Sequence, residues 1–255
     1  MKIGVQLSTV RNLTQTNKDF ATTIKRLASM GFDAVHISGI DPEKIPPAEV
    51  AETCQAYDLE ISCMQVDAMR IVKETDLVIE EQKLTNAKYI EMRTMPDKYP
   101  RTKDGVRSFM TDFIPAAREI KEAGLQLVYR HHSFEFERFD KKTVLERIAD
   151  KFVDTGIVLD TFWVQFSGGD PAYWINKLAS KIDILNLKDI GIVEGRPQMF
   201  EVLEGNLNWP AIFQAAREAN IEYAMVEQDD CYGKDPFDCL RVSLQNIKDN
   251  GYFGI

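Results

Sequence analysis

Four short apolar runs in the second half of the chain are each followed by polar side chains that can move protons or bind ions. Each run has the composition of a buried strand, and helix-like sequence comes after it. In an α/β barrel, the active site is formed by side chains at the C-terminal ends of several strands. We therefore expect one site to contain the side chains that follow these runs, which are Arg130, His132, Asp160, Asn186, Lys188 and Glu227.

The types of these side chains indicate acid–base chemistry assisted by positive charge. Glu227 is the best candidate for a carboxylate that moves a proton next to a carbonyl group. Arg130 and Lys188 are candidates for stabilising the oxygen anion that this step creates. A structural pairing of Lys188 with Asp189 or another nearby carboxylate is an equally open interpretation. The candidate catalytic residues are thus Glu227, Lys188 and Arg130.

Other residues at the same ends of the strands are candidates for contacting a substrate. His36 follows the second strand-like run, where a hydrogen-bonded structural histidine is about as consistent with the pattern. Arg196 and Glu201 lie in residues 191–207, which we expect to form a long irregular loop, and such loops are often functional. The candidate substrate-binding residues are Gln6, His36, Trp163, Arg196 and Glu201.

The elements that must position these residues alternate between strand and helix. The gaps between successive strands each fit one βα unit. Helix boundaries are indicated by Gly31 and Gly124 as stops, and by starts at Asp170-Pro171, Asn208-Trp209-Pro210 and Asp235-Pro236. Strands are predicted at 3–7, 34–37, 61–66, 89–92, 127–129, 157–159, 182–187 and 224–226.

Eight such units without a Pro-rich or Ser-rich linker predict one α/β domain over residues 1–255, a single-domain (β/α)8 TIM barrel. No Gly-x-Gly-x-x-Gly follows the first strand, so a dinucleotide-binding fold loses its main support.

Composition narrows the classes of partner. The formal net charge of −9 disfavours a nucleic-acid partner, because phosphate backbones are held by clustered Lys and Arg. No apolar run approaches the roughly 20 residues that cross a bilayer, and the first residues lack the apolar region of a signal peptide. The four cysteines form no Cys-x-x-Cys pair, as is typical of free thiols in a reducing compartment. We expect a cytoplasmic protein without a membrane partner.

Several of these motifs resemble those of a known family, the xylose-isomerase-like TIM barrels, and the resemblance covers essentially the whole chain. The group includes sugar phosphate isomerases and epimerases, inosose dehydratase and endonuclease IV, and its fold is that of the AP endonuclease family 2. The motifs are Leu127-Val128-Tyr129-Arg130-His131-His132-Ser133-Phe134-Glu135-Phe136, Leu159-Asp160-Thr161-Phe162-Trp163, Gly168-Gly169-Asp170-Pro171, Leu187-Lys188-Asp189, Glu204-Gly205-Asn206-Leu207-Asn208-Trp209 and Val226-Glu227-Gln228-Asp229.

The resemblance implies one divalent metal ion (Mn, Mg or Zn), since members of the family usually hold one with residues of strands five to eight. Its fifth-strand motif usually reads Tyr-His-Asn-His and its seventh-strand motif His-Leu-Lys-Asp. This chain has Arg130 and Asn186 where those motifs have a histidine. The hard oxygens of Asp160 and Glu227 suit Mg²⁺ or Mn²⁺. Carried over by position, the implied ligands are His132, Asp160, Asn186 and Glu227.

Arg130 is the main departure from the family pattern. A single positive charge about 4 Å from a divalent cation is repelled by roughly 8 kcal/mol at an effective dielectric constant of about 20. Three outcomes are open: Arg130 points away from the site, the metal binds weakly, or Arg130 replaces the metal.

The resemblance and the site residues together favour a carbohydrate isomerase or epimerase that acts by proton transfer next to a carbonyl, either with a metal or with Arg130 and Lys188 in its place. Its expected partner is a small carbohydrate or sugar phosphate. The alternatives are a lyase or dehydratase on a keto-sugar or cyclitol, and a catalytically degenerate barrel that binds a carbohydrate. Endonuclease chemistry is disfavoured by the three histidines and the negative charge. A homodimer is a further possibility, because many such barrels pair.

Overall fold

The chain folds into a closed barrel of eight parallel strands, in a computed structural model that describes residues 1–252. Each strand pairs with its neighbour in chain order, and the eighth pairs with the first. The predicted (β/α)8 barrel is thereby confirmed; residues 253–255 of the predicted domain lie outside the described residues. In chain order the barrel strands are Lys2–Gln6, Ala34–Ile37, Glu60–Gln65, Tyr89–Met92, Gln126–Arg130, Thr155–Asp160, Ile182–Leu187 and Tyr223–Val226.

Helices follow the strands and cover the outer face of the barrel. Outward-facing strand residues such as Val35, Ile90 and Leu185 are fully buried beneath them. Short 3-10 helices lie at Leu7–Leu13, Phe134–Phe136 and Ala179–Lys181. The α-helices of the described chain are Asn17–Met30, Pro47–Ala56, Ala68–Lys73, Thr75–Thr85, Lys103–Glu122, Val144–Lys151, Thr161–Phe166, Pro171–Leu178, Trp209–Glu218 and Pro236–Asp249.

The predicted helix boundaries are confirmed by their capping geometry. Asp170, Asn208 and Asp235 each accept a hydrogen bond from a backbone N–H of the helix that they begin. Gly31 ends the first α-helix in the left-handed conformation, with φ of 88°. Glycine favours this position because an L side chain there is strained.

Residues 191–207 are not an irregular loop throughout, so that prediction was wrong. An antiparallel hairpin forms from Asp189–Val193 and Arg196–Phe200. Its two turn residues, Glu194 and Gly195, both have positive φ, as the two-residue turns that match strand twist require. Glu-Gly is not among the common sequence signals of such a turn, which is why the pattern gave no indication of it.

The barrel interior is layered because side chains on a strand alternate between its two faces. Its lower layer is apolar, and it consists of Ala34, Cys63, Tyr89, Val128, Val158, Ile184, Tyr223 and Met225. At Gly4 the side chain of Met225 occupies the space that a Cβ would take. A polar residue stands two residues further along each strand, or directly after the eighth strand. We call this set the polar ring, and it consists of Gln6, His36, Gln65, Glu91, Arg130, Asp160, Asn186 and Glu227.

One buried carboxylate, that of Asp189, fixes the segment between the hairpin and the next helix. Its two oxygens accept hydrogen bonds at 2.6–3.3 Å from the indole N–H of Trp209 and from four backbone N–H groups, those of Ile190, Leu203, Gly205 and Leu207. A Cβ at Gly205 would lie 2.4 Å from an Asp189 oxygen, so the backbone approach requires glycine there.

We expect the substitution Asp189→Ala to lower the free energy of unfolding by about 3 kcal/mol, because it leaves several buried donors without an acceptor. Urea denaturation followed by circular dichroism measures the change. Asp170→Ala is the matched control, since exposed Asp170 caps a helix through one backbone bond and should cost about 1 kcal/mol. Equal costs for the two variants would contradict the anchoring role of Asp189.

Candidate active site

Five charged side chains converge where the fifth to eighth strands end. We call them the charged cluster, and they are Arg130, Asp160, Lys188, Glu227 and Asp229. The first four are at most 1% exposed, whereas the side chain of Asp229 is 28% exposed. The predicted convergence of Arg130, Asp160, Lys188 and Glu227 is therefore present in the structure.

Arg130 points into this site and not away from it. Its terminal nitrogen Nη2 lies 2.8 and 2.7 Å from the two carboxylate oxygens of Glu227. The same nitrogen lies 3.5 Å from Oδ2 of Asp160. The Nη2 nitrogen of Arg130 thus links the end of the fifth strand to the end of the sixth strand and to the residue directly after the eighth.

Lys188 supplies the second buried positive charge. Its Nζ lies 3.4 Å from Oδ2 of Asp160 and 3.6 Å from Oε2 of Glu227, and it donates a hydrogen bond to Asp229. Lys188 does not pair with Asp189, because the Asp189 carboxylate binds backbone donors and Trp209. The other pairing left open, with another nearby carboxylate, does form, since Lys188 pairs with Asp160 and Asp229. Sequence reasoning missed Asp229, whose only signal is its place two residues after Glu227.

Both oxygens of Glu227 carry further hydrogen bonds. The side-chain amide of Asn186 donates to Oε2 at 2.9 Å, and the Ser8 hydroxyl donates to Oε1. With the two contacts from Nη2 of Arg130, the carboxylate receives four contacts from three donor atoms. Ser8 was not predicted, because it lies beyond the first strand, where strand alternation no longer applies.

The environment separates the acidities of the carboxylates. Burial works to raise the pKa of Glu227, but the charges of Arg130 and Lys188 outweigh it and hold that pKa well below its usual range. Burial raises the pKa of Asp160, although Lys188 and Arg130 oppose it. Burial, and then the charge of Glu227, also raise the pKa of Asp229. Carboxylates with separated pKa values are typical of acid–base sites.

Lys188 stays protonated in this environment. Burial works to lower its pKa, but the nearby carboxylates of Asp160, Glu227 and Asp229 outweigh burial and raise it. The ammonium group also lies 5.7 Å from the ring centroids of Phe162 and Trp163. Trp163, a predicted substrate contact, is thus placed beside the charged cluster.

The two histidines after the fifth strand have different environments. His131 is buried; its Nε2 accepts a hydrogen bond from the backbone N–H of Asp160, and its Nδ1 lies 3.1 Å from the carbonyl oxygen of His132. Burial lowers the pKa of His131 to about 4, so the ring is neutral. Its role is therefore structural, since its nitrogens contact backbone atoms. The His132 ring packs against Trp163 with centroids 5.5 Å apart. Within residues 1–252, no carboxylate lies in ion-pair distance of His132.

The opposite side of the mouth is polar but less charged. His36 Nε2 lies 3.5 Å from a carboxylate oxygen of Glu91, and Gln65 donates to the other oxygen at 2.8 Å. Gln6 accepts a hydrogen bond from Ser38 through Oε1. Several buried polar atoms of this layer have no hydrogen-bond partner in the described chain: Gln6 Nε2, both ring nitrogens of His36, Glu91 Oε2, Arg130 Nε and Asn186 Oδ1.

A cavity of about 350 Å³ opens above both sides of the mouth. Its walls contain three arginines and one carboxylate, and they are formed by Ser8, Arg11, Ser38, Gly39, Gln65, Arg93, Arg130 and Asp229. Of the charged cluster, only Arg130 and Asp229 line it. Arg11 also joins the first 3-10 helix to the segment after the eighth strand, since it donates to the backbone carbonyls of Ser8 and Asp229 at 2.9 Å. Sequence reasoning missed Arg11 and Arg93, which lie beyond their strands.

Two predicted substrate contacts lie on or beside the hairpin and make no bond to the charged cluster. Arg196 is exposed at the start of the second hairpin strand. Glu201 is 5% exposed and forms an ion pair with Lys234 at 2.8 Å. The structure therefore gives Glu201 a structural partner, while a substrate contact of Arg196 stays a prediction.

As it stands, the charged cluster does not fit a divalent cation. Of the four implied ligands, Asp160, Asn186 and Glu227 are brought together and His132 is not. Arg130 and Lys188 already lie among the carboxylate oxygens, and each would repel a divalent ion at about 4 Å by roughly 8 kcal/mol. No group of three or more His, Cys, Asp or Glu side chains in residues 1–252 is arranged to hold a metal.

The closed barrel and the charged cluster at its C-terminal mouth define a (β/α)8 barrel with one candidate active site. The family model of the xylose isomerase-like TIM barrel matches residues 24–238, and the chain belongs to that family. The predicted family is thereby confirmed. No curated protein sequence matches the chain.

Solved structures of other proteins share the fold at low identity. A sugar phosphate isomerase/epimerase from Parabacteroides distasonis has a TM-score of 0.77 and 20% identity over 98% of this chain and 95% of that one. An L-ribulose 3-epimerase has a TM-score of 0.76 and 17% identity over 97% of this chain and 93% of that one. The IolI protein, solved with a bound zinc atom, has a TM-score of 0.73 and 16% identity over the full length of both chains. At these identities the likeness establishes the fold alone.

In the described part of the chain, no helix has the length and apolar character needed to cross a membrane.

We expect Arg130→Met to lower the free energy of unfolding by about 3 to 5 kcal/mol, because it leaves Glu227 charged and buried without its partner. The double substitution Arg130→Met/Glu227→Met should recover much of this loss, since it removes both charges. Urea denaturation of the wild type, both single variants and the double variant gives the coupling energy.

The matched control for this cycle is Arg241→Met, which breaks the exposed ion pair with Asp238 and should cost less than about 1 kcal/mol. An Arg130→Met protein as stable as the Arg241→Met protein would show that the buried pair does not organise the site.

Proposed function

We propose that the protein is a carbohydrate isomerase or epimerase that moves a proton on a carbon next to a carbonyl group. One observation carries the proposal: the guanidinium of Arg130 and the carboxylate of Asp229 line the same small cavity, and Lys188 binds that carboxylate. A fixed cation and a partly exposed carboxylate are the two groups that such a proton transfer needs. The names of the similar solved structures, an isomerase/epimerase and a 3-epimerase, agree with it.

Arg130 has the position of the electrophile. A substrate carbonyl oxygen that enters the cavity meets the guanidinium, whose charge stabilises the enediolate oxygen formed when the neighbouring carbon loses its proton. The apolar layer beneath the polar ring keeps water out of the barrel, and this strengthens the interaction.

Asp229 is better placed than Glu227 to move the proton. Both oxygens of Glu227 already accept hydrogen bonds, and Glu227 does not line the cavity. Asp229 lines it, and its neighbour Lys188 holds the carboxylate in place. We therefore assign Glu227 to positioning Arg130. Asp229 takes the proton from the carbon and returns it to the adjacent carbon, while the hydroxyl proton passes from one oxygen to the other, and this isomerises the sugar. Epimerisation instead requires that a second donor supply a proton to the opposite face of the enediolate after Asp229 has taken the first one.

The polar ring suits a small polyhydroxylated substrate. The cavity volume of about 350 Å³ is at the lower end for small-molecule sites. Gln65 lines the cavity, and the buried nitrogens of the Gln6 and His36 side chains have no hydrogen-bond partner in the described chain. Sugar hydroxyls both donate and accept, so they match such a mixed set.

The direct test is incubation with a panel of ketoses and ketose phosphates in D₂O, followed by proton NMR. Deuterium incorporation at a carbon-bound position, without loss of water, supports the isomerase or epimerase. Loss of water from the substrate would instead favour the dehydratase alternative. Saturable binding without exchange across the panel would favour a carbohydrate-binding barrel that has lost catalysis.

With a substrate in hand, Asp229→Asn should lower kcat by about 100-fold or more and change KM little, because it removes the proton-transfer group but preserves shape. Asp230→Asn is the matched control, since Asp230 is the exposed neighbour and its side chain accepts a hydrogen bond from the backbone N–H of Tyr232. If the Asp229→Asn protein keeps full turnover and a folded Glu227→Gln protein is inactive, the group that moves the proton is Glu227 and not Asp229.

A further inference from the structure

We propose that the terminal nitrogen of Arg130 occupies the place at which this barrel would otherwise hold a divalent cation. The site would then carry its central positive charge as a side chain. The inference concerns the cation alone, so it holds or fails independently of the reaction proposed above.

The surroundings of Arg130 Nη2 are those of a cation site. Two oxygens of Glu227 lie at 2.7 and 2.8 Å, and one oxygen of Asp160 lies at 3.5 Å. Asn186 binds the same Glu227 carboxylate, and its own Oδ1 is buried without a hydrogen-bond partner in the described chain. Carboxylate oxygens of Asp160 and Glu227 thus meet at one point, and a guanidinium nitrogen lies there.

The charges of the cluster make the guanidinium and a divalent ion mutually exclusive. Two cations, Arg130 and Lys188, face the three carboxylates of Asp160, Glu227 and Asp229. Adding a divalent ion to this set would leave excess positive charge in a buried site, which is costly. Exchanging Arg130 for a divalent ion would balance the three carboxylates with the ion and Lys188.

Burial and ion pairing hold the guanidinium in this place. Arg130 is the last residue of the fifth strand and is 1% exposed, and its Nη2 would lose both oxygens of Glu227 if it withdrew. A guanidinium is protonated at any physiological pH. The site therefore needs no metal loading and has no metal for a chelator to remove.

The test is titration of purified protein with Mn²⁺ alone, followed by electron paramagnetic resonance and calorimetry. The wild type should bind no stoichiometric Mn²⁺. Arg130→Glu should bind one Mn²⁺ per chain, because it replaces the cation with a fourth carboxylate of the hard oxygen type that Mn²⁺ prefers. Its affinity should exceed that of Arg130→Met, the variant without charge or ligand, by about tenfold or more.

A second substitution locates the ion. In the Arg130→Glu protein, adding Asp160→Asn should weaken Mn²⁺ binding, while asparagine at position 160 still caps the helix that follows. Circular dichroism establishes that each variant is folded. If Arg130→Glu does not fold, the wild type and Arg130→Met decide the matter, because only the protein without the guanidinium should take up Mn²⁺.

Two results would overturn the inference. One is a wild-type protein that binds one Mn²⁺ per chain and loses it on Asp160→Asn, since the guanidinium would then share the site with a metal. The other is a folded Arg130→Glu protein that binds Mn²⁺ no more tightly than Arg130→Met, since the surrounding oxygens would then not form a cation site.

Discussion

A buried ion pair between Arg130 on the fifth strand and Glu227 after the eighth holds the mouth of this barrel together. Removing two charges from water is costly, and the cost is offset only when further hydrogen bonds satisfy the remaining polar atoms. Here Ser8 and Asn186 complete the coordination of Glu227. Because these partners come from the 3-10 helix after the first strand and from the seventh strand, the pair fixes the relative positions of four segments.

The layered interior explains why the ion pair is strong enough to have this effect. The same alternation that places Val128 in the apolar layer places Arg130 in the polar ring, two residues further along the strand. Side chains such as Val158 and Met225 close the barrel below and exclude water. In such a low-dielectric environment hydrogen bonds and charges interact more strongly, and an unpaired charge is correspondingly expensive.

Strand ends were predictable from the sequence, whereas loop positions were not. Apolar runs locate the strands, and parallel strands in a barrel bring their C-terminal ends together, so the meeting of Asp160, Asn186 and Glu227 followed from the pattern alone. Asp229 lies beyond a strand, where no periodicity fixes the direction of a side chain. His132 was expected to share a face with Arg130, but the strand ends at Arg130 and His132 turns toward Trp163.

A guanidinium at the centre of the site constrains how a substrate can use it. Glu227 accepts hydrogen bonds from Nη2 of Arg130, so that nitrogen is already occupied. An incoming oxygen must therefore approach the guanidinium from the cavity that Arg130 lines. A metal ion accepts ligands over its whole surface, but a planar guanidinium donates only along its edges. The orientation of the substrate oxygen is thereby limited to one side, which is the side that carries Asp229. The ion pair therefore determines both where positive charge is available and which carboxylate can act beside it.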